Sequence, residues 1–233
     1  AAIAGASAGA VIGAAYASGM AARDIRAHAL DLASNPIAAL RTRLSEGAVS
    51  LSGWRSVTSA ETALSFILPD AVPDDFAALR IPLTVVATDF YARRACYFRD
   101  GALMPVLAAT IAIPGILSAV LHEGRVYVDG GVTDNLPLSA LPKTDVTLAV
   151  DVASEPAAES AEVPSAAAAA AGAMRIMMHA LLNERLGKHP GAILIQPASR
   201  RYGALQFDRV RAIIEEADNA REETKRAIER ALT

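Results

Sequence analysis

Short runs of β-branched residues alternate with alanine-rich runs along this chain, and this alternation limits its possible folds more than any other feature. Strands joined by helix-length segments form a sheet whose faces the helices cover. We therefore predict an α/β fold with three layers, α/β/α, around a central mixed or mostly parallel sheet. The strand candidates are residues 83–88, 125–129, 146–152 and 192–196, and the first residues, AAIAG, are typical of the end of another strand.

The length of 233 residues is enough for one hydrophobic core, so we predict a single domain over residues 1–233. Apolar residues make up 53% of the chain, and much of this fraction is alanine, which favours tightly packed helices. The predicted helices cover residues 8–18, 174–186 and 207–232, and residues 50–75 are expected to form a surface helix and loop outside the sheet. The low-complexity segment 154–171 has the composition of a mobile loop, although its alanine run can also start a helix.

Charge and composition exclude several classes of function. The net charge is −3 and basic residues occur at most in pairs, so we expect no nucleic-acid partner. Cys96 is the only cysteine and has no metal-ligand spacing around it, and we expect no metal and no cofactor. The uncharged stretches 1–22 and 102–121 contain glycine or proline interruptions that disfavour a membrane span. A cytoplasmic or peripheral membrane location is therefore expected, and the sequence does not indicate an oligomeric state.

The residues Gly5-Ala6-Ser7-Ala8-Gly9 fit the G-x-S-x-G elbow, a sharp strand-to-helix turn that presents a serine nucleophile. We expect glycine at both flanks, Gly5 and Gly9, because the turn leaves no room for a β-carbon. The Ala8 N–H at the helix start is a candidate oxyanion donor. A purely structural turn is an alternative. A phosphate-binding loop fits poorly, since no lysine follows it as in a P-loop.

A serine hydroxyl needs a base to act as a nucleophile at neutral pH. Asp129 ends a predicted strand, where an acid can face the same crevice as the elbow, and Gly130 and Gly131 after it allow close approach of another segment. The alternative for Asp129 is a residue that caps a turn. The histidines have no companion acid at an evident spacing, so we expect them to be surface or packing residues; they are His28, His122, His179 and His189.

Four segments, in the same order, resemble signatures of the patatin-like phospholipase family. AGASAGAVIGAAYASGM resembles the family's elbow and helix, and PLTVVATD is similar to its second strand signature. ATIAIPGIL resembles its A-S-x-A-I-P-G segment with Thr110 in the usual serine place, and VYVDGGVTDNLPL matches its D-G-G block. The resemblance covers nearly the whole chain and implies a patatin-like fold.

The resemblance implies that Ser7 is the nucleophile and Asp129 its base, without histidine, and that a lipid acyl ester is the substrate. Asp89, Asp134 and Asn135 belong to the same signatures, and we expect structural roles for them. The family's glycine-rich oxyanion loop, G-G-G-x-[KR]-G, normally precedes the elbow by some tens of residues, but only six residues precede Ser7 here. Loss of one oxyanion donor costs about 100- to 1000-fold in rate, so we expect this chain alone to be a weak catalyst.

The sequence leaves two further functions open. One is an ordinary α/β-hydrolase triad of Ser7, then Asp129 or Asp151, then His179 or His189. The other is a lipid-binding or partner-binding module without turnover. An apolar acyl pocket and peripheral membrane contact through residues 102–121 or the alanine-rich segment are also expectations; the pocket candidates are Met104, Ile111, Ile113, Ile116 and Leu117.

Overall fold

A computed structural model describes residues 1–34, 59–152, 163–197, 209–218 and 220–232. The chain divides into two compact units, Ala1–Pro142 and Lys143–Thr233. Whether the two fold as the single domain expected from the length stays a prediction.

The first unit contains a five-stranded mixed sheet and four α-helices in its described part. Three short 3-10 helices, Phe76–Ala78, Gly130–Val132 and Leu138–Ala140, lie in its connections. Its main elements are β1 (Ile3–Ala6), α1 (Ala8–Ala17), α2 (Ala22–Ser34), α3 (Ala60–Ile67), β2 (Leu83–Asp89), β3 (Arg94–Phe98), α4 (Leu103–Thr110), β4 (Val120–His122) and β5 (Arg125–Asp129).

Strand β2 is the centre of this sheet, and all seven of its residues are buried. One edge of β2 pairs with β3, antiparallel. The other edge is shared: β1 pairs in parallel with the first half of β2, and β5 pairs antiparallel with its last three residues. Strand β4 continues the sheet beyond β5. A strand enclosed in this way must be apolar on both faces, which explains the continuous run LTVVAT.

Helices α1 and α4 pack on the sheet and form the core with it. Alanine provides the contact surface of α1, where Ala10, Ala14 and Ala17 are fully buried, so that helix and sheet approach closely. Leu103 and Leu107 of α4 are the largest fully buried side chains. The alanine content therefore supplies tight packing, as the composition predicted.

The second unit contains a two-stranded parallel sheet and three helices in its described part. These elements are β6 (Leu148–Val150), α5 (Ala166–Lys188), β7 (Ile193–Ile195), α6 (Val210–Ala217) and α7 (Ala220–Leu232). Ser165 caps α5 by accepting a hydrogen bond from the Ala168 N–H. No helix in the described part of either unit has both the length and the apolar character to cross a membrane.

The predicted fold class, a mixed sheet with helices on both sides, is confirmed. Each predicted strand is present within two residues, but β3 and β4 were missed because β3 has few β-branched residues and β4 has only three residues. The predicted terminal helix is two helices, α6 and α7. Of the predicted mobile segment, residues 154–162 lie outside the described residues, and its alanine run from Ala166 begins α5.

Gly130 provides a test of how closely β5 approaches β2. A β-carbon at Gly130 would lie 2.0 Å from the Val86 carbonyl oxygen, which belongs to the central strand and cannot move cheaply. We expect Gly130→Ala to lower the free energy of unfolding by about 3 kcal/mol, measured by chemical denaturation. The control is Gly9→Ala in the same unit, where no atom lies within 4 Å of the added β-carbon. Equal stability of the two variants would contradict the close approach.

Candidate active site

The ends of β1 and β5 meet at the middle of one edge of β2. Ala6, the last residue of β1, pairs with Val86, and Asp129, the last residue of β5, pairs with the next β2 residue, Ala87. Ser7 follows Ala6 directly. Because β1 is parallel and β5 antiparallel to β2, the two strands run toward each other and bring Ser7 and Asp129 together.

This geometry corrects the reason given from the sequence for their proximity. We expected two carboxyl ends at the same margin of a parallel sheet. The carboxyl ends of β1 and β5 instead point at each other, since β5 runs in the opposite direction. The site therefore lies between the two strand ends within the sheet, with Asp129 buried and Ser7 half-buried.

Ser7 has a backbone conformation that L-residues rarely adopt, with φ 52° and ψ −130°. Such a conformation persists only where the surroundings enforce it. Gly5 contributes, because a β-carbon there would lie 2.7 Å from the Gly9 carbonyl carbon. The expectation that Gly9 is required in the same way is wrong, since the space at its β-position is open. Only the first glycine of the motif is sterically necessary.

Thr110, at the end of α4, holds the Ser7 backbone in place. The Ser7 N–H donates to Thr110 Oγ1 at 2.8 Å, and the Thr110 hydroxyl donates to the Val86 carbonyl oxygen. Two residues later the Ala112 carbonyl oxygen accepts from the Asp129 N–H at 3.0 Å. Residues 110–112 therefore bind the backbones of both Ser7 and Asp129. No role was predicted for Thr110. The only sequence feature that points to it is the family segment ATIAIPGIL, which contains it.

Asp129 is a buried carboxyl group with 5% of its surface exposed. Burial raises its pKa from the ordinary 3.8 to about 6, and hydrogen bonding to Ser7 and to the Gly131 N–H partly opposes this increase. The Gly131 N–H donates to Asp129 Oδ1 at 2.7 Å. Oδ2 is buried and has no partner of standard hydrogen-bond geometry among the described residues. The Ser7 hydroxyl lies close enough to the carboxyl group to lower its pKa, although it does not meet standard hydrogen-bond geometry with Oδ2.

The start of α1 can stabilise negative charge beside Ser7. Ala8 and Gly9 are exposed, and the first N–H groups of a helix have no intrahelical acceptor. Ala10 and Val11 donate instead to the Ser7 carbonyl oxygen. The Ser7 side chain does not cap the helix. In the described part of the chain, the hydroxyl is therefore left to interact with Asp129, and the exposed Ala8 can present its N–H to another group.

The other acids of the family segments make structural contacts, as expected. Asp89 accepts from the Ala92 N–H at 2.9 Å and from Arg125 Nη1 at 2.9 Å, and these interactions lower its pKa. Asp134 is fully buried and accepts a hydrogen bond from the Tyr97 hydroxyl at 2.7 Å. Asn135 is half-buried beside it in the chain.

The histidines of the first unit make their contacts away from Asp129. His28 Nε2 lies 3.0 Å from the Ile67 carbonyl oxygen, and the His122 ring packs near Phe98 and Tyr127. His179 and His189 belong to the second unit. Among the residues that the structure describes, no cluster of His, Cys, Asp and Glu could hold a metal ion.

The predicted acyl-pocket residues are mainly part of the core. Ile111 is buried in it, and Met104 and Leu117 pack against it. Ile113 and Ile116 are half-buried in the turn between Thr110 and β4. Core packing therefore accounts for three of the five, and an acyl pocket stays a prediction.

The Thr110 hydroxyl can be tested by a change that keeps its shape. We expect Thr110→Val to destabilise the protein by about 2 kcal/mol, because the Ser7 N–H and the Val86 carbonyl would remain buried without a partner. Thr110→Ser keeps the hydroxyl and should lose less stability than Thr110→Val. Chemical denaturation compares the two variants. A valine variant more stable than the serine variant would contradict the role of the Thr110 hydroxyl in linking the Ser7 N–H to the Val86 carbonyl oxygen.

The ionised Asp129 carboxylate should lower the free energy of unfolding at neutral pH. The raised pKa means that the folded protein binds the proton more tightly than the unfolded chain, so stability falls as pH rises from about 4 to about 6. The difference between about 6 and 3.8 corresponds to about 3 kcal/mol. Asp129→Asn should therefore be more stable than the unmodified chain by up to that amount at about pH 8, and much less so at about pH 4.

Chemical denaturation at both pH values measures this difference. The control is Asp145→Asn. Asp145 is exposed, so this substitution should change the free energy of unfolding little at either pH. A pH-independent effect of Asp129→Asn would show that the carboxyl group is not destabilised by burial.

Comparison with known proteins agrees with the division into units. The sequence model of the family described as "Patatin-like phospholipase" matches residues 1–142, which is the whole first unit. Proteins described as uncharacterized NTE family proteins in Mycobacterium bovis and Mycobacterium tuberculosis are 35% identical over 153 residues. The match covers 64% of this chain and 40% of each relative.

The family match contains Ser7, Thr110 and Asp129, the residues that meet at the edge of β2. It covers more than half of the chain and coincides with the unit that carries the mixed sheet. The chain belongs to the patatin-like phospholipase family.

Proposed function

We propose that this protein is a serine hydrolase of lipid acyl esters in which Ser7 is the nucleophile and Asp129 the general base. The observation that carries the proposal is the pairing of Ala6 and Asp129 with consecutive residues of β2, Val86 and Ala87. Family membership supports lipid hydrolysis in general terms. Phospholipids, lysophospholipids and related lipid esters are the proposed substrate class.

The reaction begins when the Asp129 carboxylate accepts the Ser7 hydroxyl proton and Ser7 Oγ attacks the ester carbonyl carbon. The carbonyl oxygen becomes an oxyanion near the start of α1, where the Ala8 N–H donates to it and the helix dipole favours negative charge. Collapse breaks the ester bond and forms acyl-serine, and the leaving alcohol takes the proton from Asp129. Water, deprotonated by Asp129, then attacks acyl-serine and releases the carboxylic acid while Ser7 regains its proton.

The burial of Asp129 makes an aspartate usable as this base. An ordinary aspartate is a weak base because its pKa is far below neutral pH, but burial raises the pKa of Asp129 to about 6. The group is still mostly ionised at neutral pH and accepts a proton more readily than an exposed carboxylate. A base whose pKa lies near the working pH is the most effective one.

A histidine in the triad has no supporting contact among the described residues of the first unit. Ser7 and the Gly131 N–H are the groups that lower the Asp129 pKa, and neither is a histidine. A binding module without turnover stays an alternative that only activity can exclude. Labelling of the nucleophile separates these functions.

Labelling with a fluorophosphonate tests the mechanism. We expect the probe to modify Ser7, and the labelling rate to rise with pH through about 6, because the Asp129 carboxyl must be ionised to accept the proton. Ser7→Ala should remove the label, and Asp129→Asn should slow labelling about 1000-fold and remove the pH dependence near 6. Mass spectrometry of the labelled peptide identifies the residue.

The control replaces His28, His122, His179 and His189 together with glutamine. Labelling at the unmodified rate agrees with a Ser-Asp dyad. Loss of labelling in that variant while it remains folded, or label on another serine, would contradict the proposed mechanism.

A further inference from the structure

The turn between β2 and β3 exposes two aromatic side chains beside exposed arginines. We define the hairpin patch as Phe90, Tyr91, Arg93, Arg94, Leu121 and Arg125. Phe90 is 53% exposed, Tyr91 76% and Leu121 73%. The Phe90 and Tyr91 rings pack edge to face with their centroids 5.2 Å apart. Large exposed apolar groups that are clustered, rather than scattered, indicate an interaction surface.

The sheet register places the apolar residues of the patch beside one another, with Arg94 and Arg125 at the same end of the sheet but in register with its other face. The Phe90 N–H donates to the Val126 carbonyl oxygen at 2.9 Å, so the chain beyond β2 continues along β5. Val126 pairs with Leu121 across the β4–β5 ladder, and paired residues share a face. Phe90, Val126 and Leu121 therefore form a continuous apolar row across three neighbouring segments.

Asp89 keeps the turn in a fixed shape. Its Oδ1 accepts from the Ala92 N–H within the turn, and its Oδ2 binds Arg125 of β5 at 2.9 Å. Arg93 completes the turn with φ 54°. The aromatic pair is thus presented on a preformed hairpin, which lowers the entropy lost on binding.

The charges around the apolar row are mainly positive. Arg93 and Arg94 are exposed and take part in no salt bridge among the described residues, while Arg125 is half exposed and bonded to the buried Asp89. Glu123 is the exposed acid of the neighbouring β4–β5 turn. This cationic cluster occurs on a chain whose net charge is −3. A partner that suits it is negatively charged and has an apolar layer.

From these contacts we infer that the hairpin patch docks the protein on the surface of an anionic lipid bilayer. Phe90, Tyr91 and Leu121 enter the boundary between headgroups and acyl chains, where aromatic side chains are favoured, and Arg93 and Arg94 bind the phosphates. Phe90 lies three residues along β2 from Ala87, the partner of Asp129, which is about 10 Å of strand. Docking there holds Ser7 close to its lipid ester; this part rests on the proposed function.

The membrane-facing role falls to different residues from those that the sequence suggested. Residues 102–121 or the alanine-rich segment were expected to contact the bilayer, but Leu103, Val106 and Leu107 of the first stretch are buried in the core. Leu121 is its one strongly exposed large apolar residue. The physical reason is that an uncharged stretch is apolar whether it faces lipid or the protein's own core.

Co-sedimentation with phosphatidylcholine vesicles, with and without phosphatidylglycerol, tests the inference. Ser7→Ala is the background for every variant, so that the lipid is not digested. We expect binding to the anionic vesicles only. Arg93→Gln with Arg94→Gln should weaken it roughly 30-fold, since each arginine near an anionic surface contributes about a fivefold factor. Phe90→Ala with Tyr91→Ala should weaken it at least about tenfold.

Matched controls change similar side chains elsewhere on the surface. Arg175→Gln with Arg221→Gln removes two exposed arginines of α5 and α7, and Ile176→Ala with Met177→Ala removes two exposed apolar residues of α5. Both should bind as the Ser7→Ala background does. Unchanged binding in the patch variants, equal loss in the controls, or no binding of anionic vesicles by the background would each overturn the inference.

Turnover of a short water-soluble ester separates this inference from the proposed function. With Ser7 restored, the patch variants should hydrolyse the monomeric ester at the unmodified rate and lose activity only on vesicles. A chain that binds anionic vesicles through the patch but hydrolyses no ester would contradict the dyad and leave the docking surface supported. A loss of monomeric turnover in the folded patch variants would instead contradict a role confined to docking.

Discussion

The site depends on one constraint, the sharing of a single edge of β2 by two strands that run toward each other. Backbone pairing fixes Ala6 opposite Val86 and Asp129 opposite Ala87, so the positions of Ser7 and Asp129 follow from ladder hydrogen bonds rather than from mobile loops. Asp129 is buried in the same arrangement, because the end of β5 pairs with the central strand and the Asp129 N–H binds the Ala112 carbonyl oxygen. Proximity and desolvation therefore have a common origin.

Residues 110–112 also hold Ser7 and Asp129 in position through hydrogen bonds to their backbones. The Thr110 hydroxyl connects the Ser7 N–H to the Val86 carbonyl, and the Ala112 carbonyl binds the Asp129 N–H. A non-glycine residue with positive φ costs about 1 to 3 kcal/mol, which the surrounding contacts must outweigh. The bond from Ser7 to Thr110 is one such contact. It also keeps the Ser7 N–H bonded, so the proposed oxyanion donor is instead the N–H at the start of α1.

Two features of the site lower the stability of the fold, and both favour chemistry in the proposed mechanism. The strained backbone of Ser7 keeps its hydroxyl from capping α1, and the buried carboxyl of Asp129 has a pKa raised to about 6. An exposed serine and an exposed aspartate would both be more stable and less reactive. The family match is confined to the unit that accommodates these costs, and the chain spans 40% of the length of the curated relatives it matches.

The sequence by itself determined the fold class, most strands and the identity of the two residues that meet, because strand-to-helix alternation and the G-x-S-x-G and D-G-G segments are local patterns. It could not determine the direction of β5, since hydrophobic pattern does not distinguish parallel from antiparallel pairing. It also gave no role to Thr110, whose partners are 103 and 24 residues away in the chain. Only the tertiary structure decided which uncharged residues face the core and which, such as Phe90 and Leu121, face outward, because burial depends on what the rest of the chain covers.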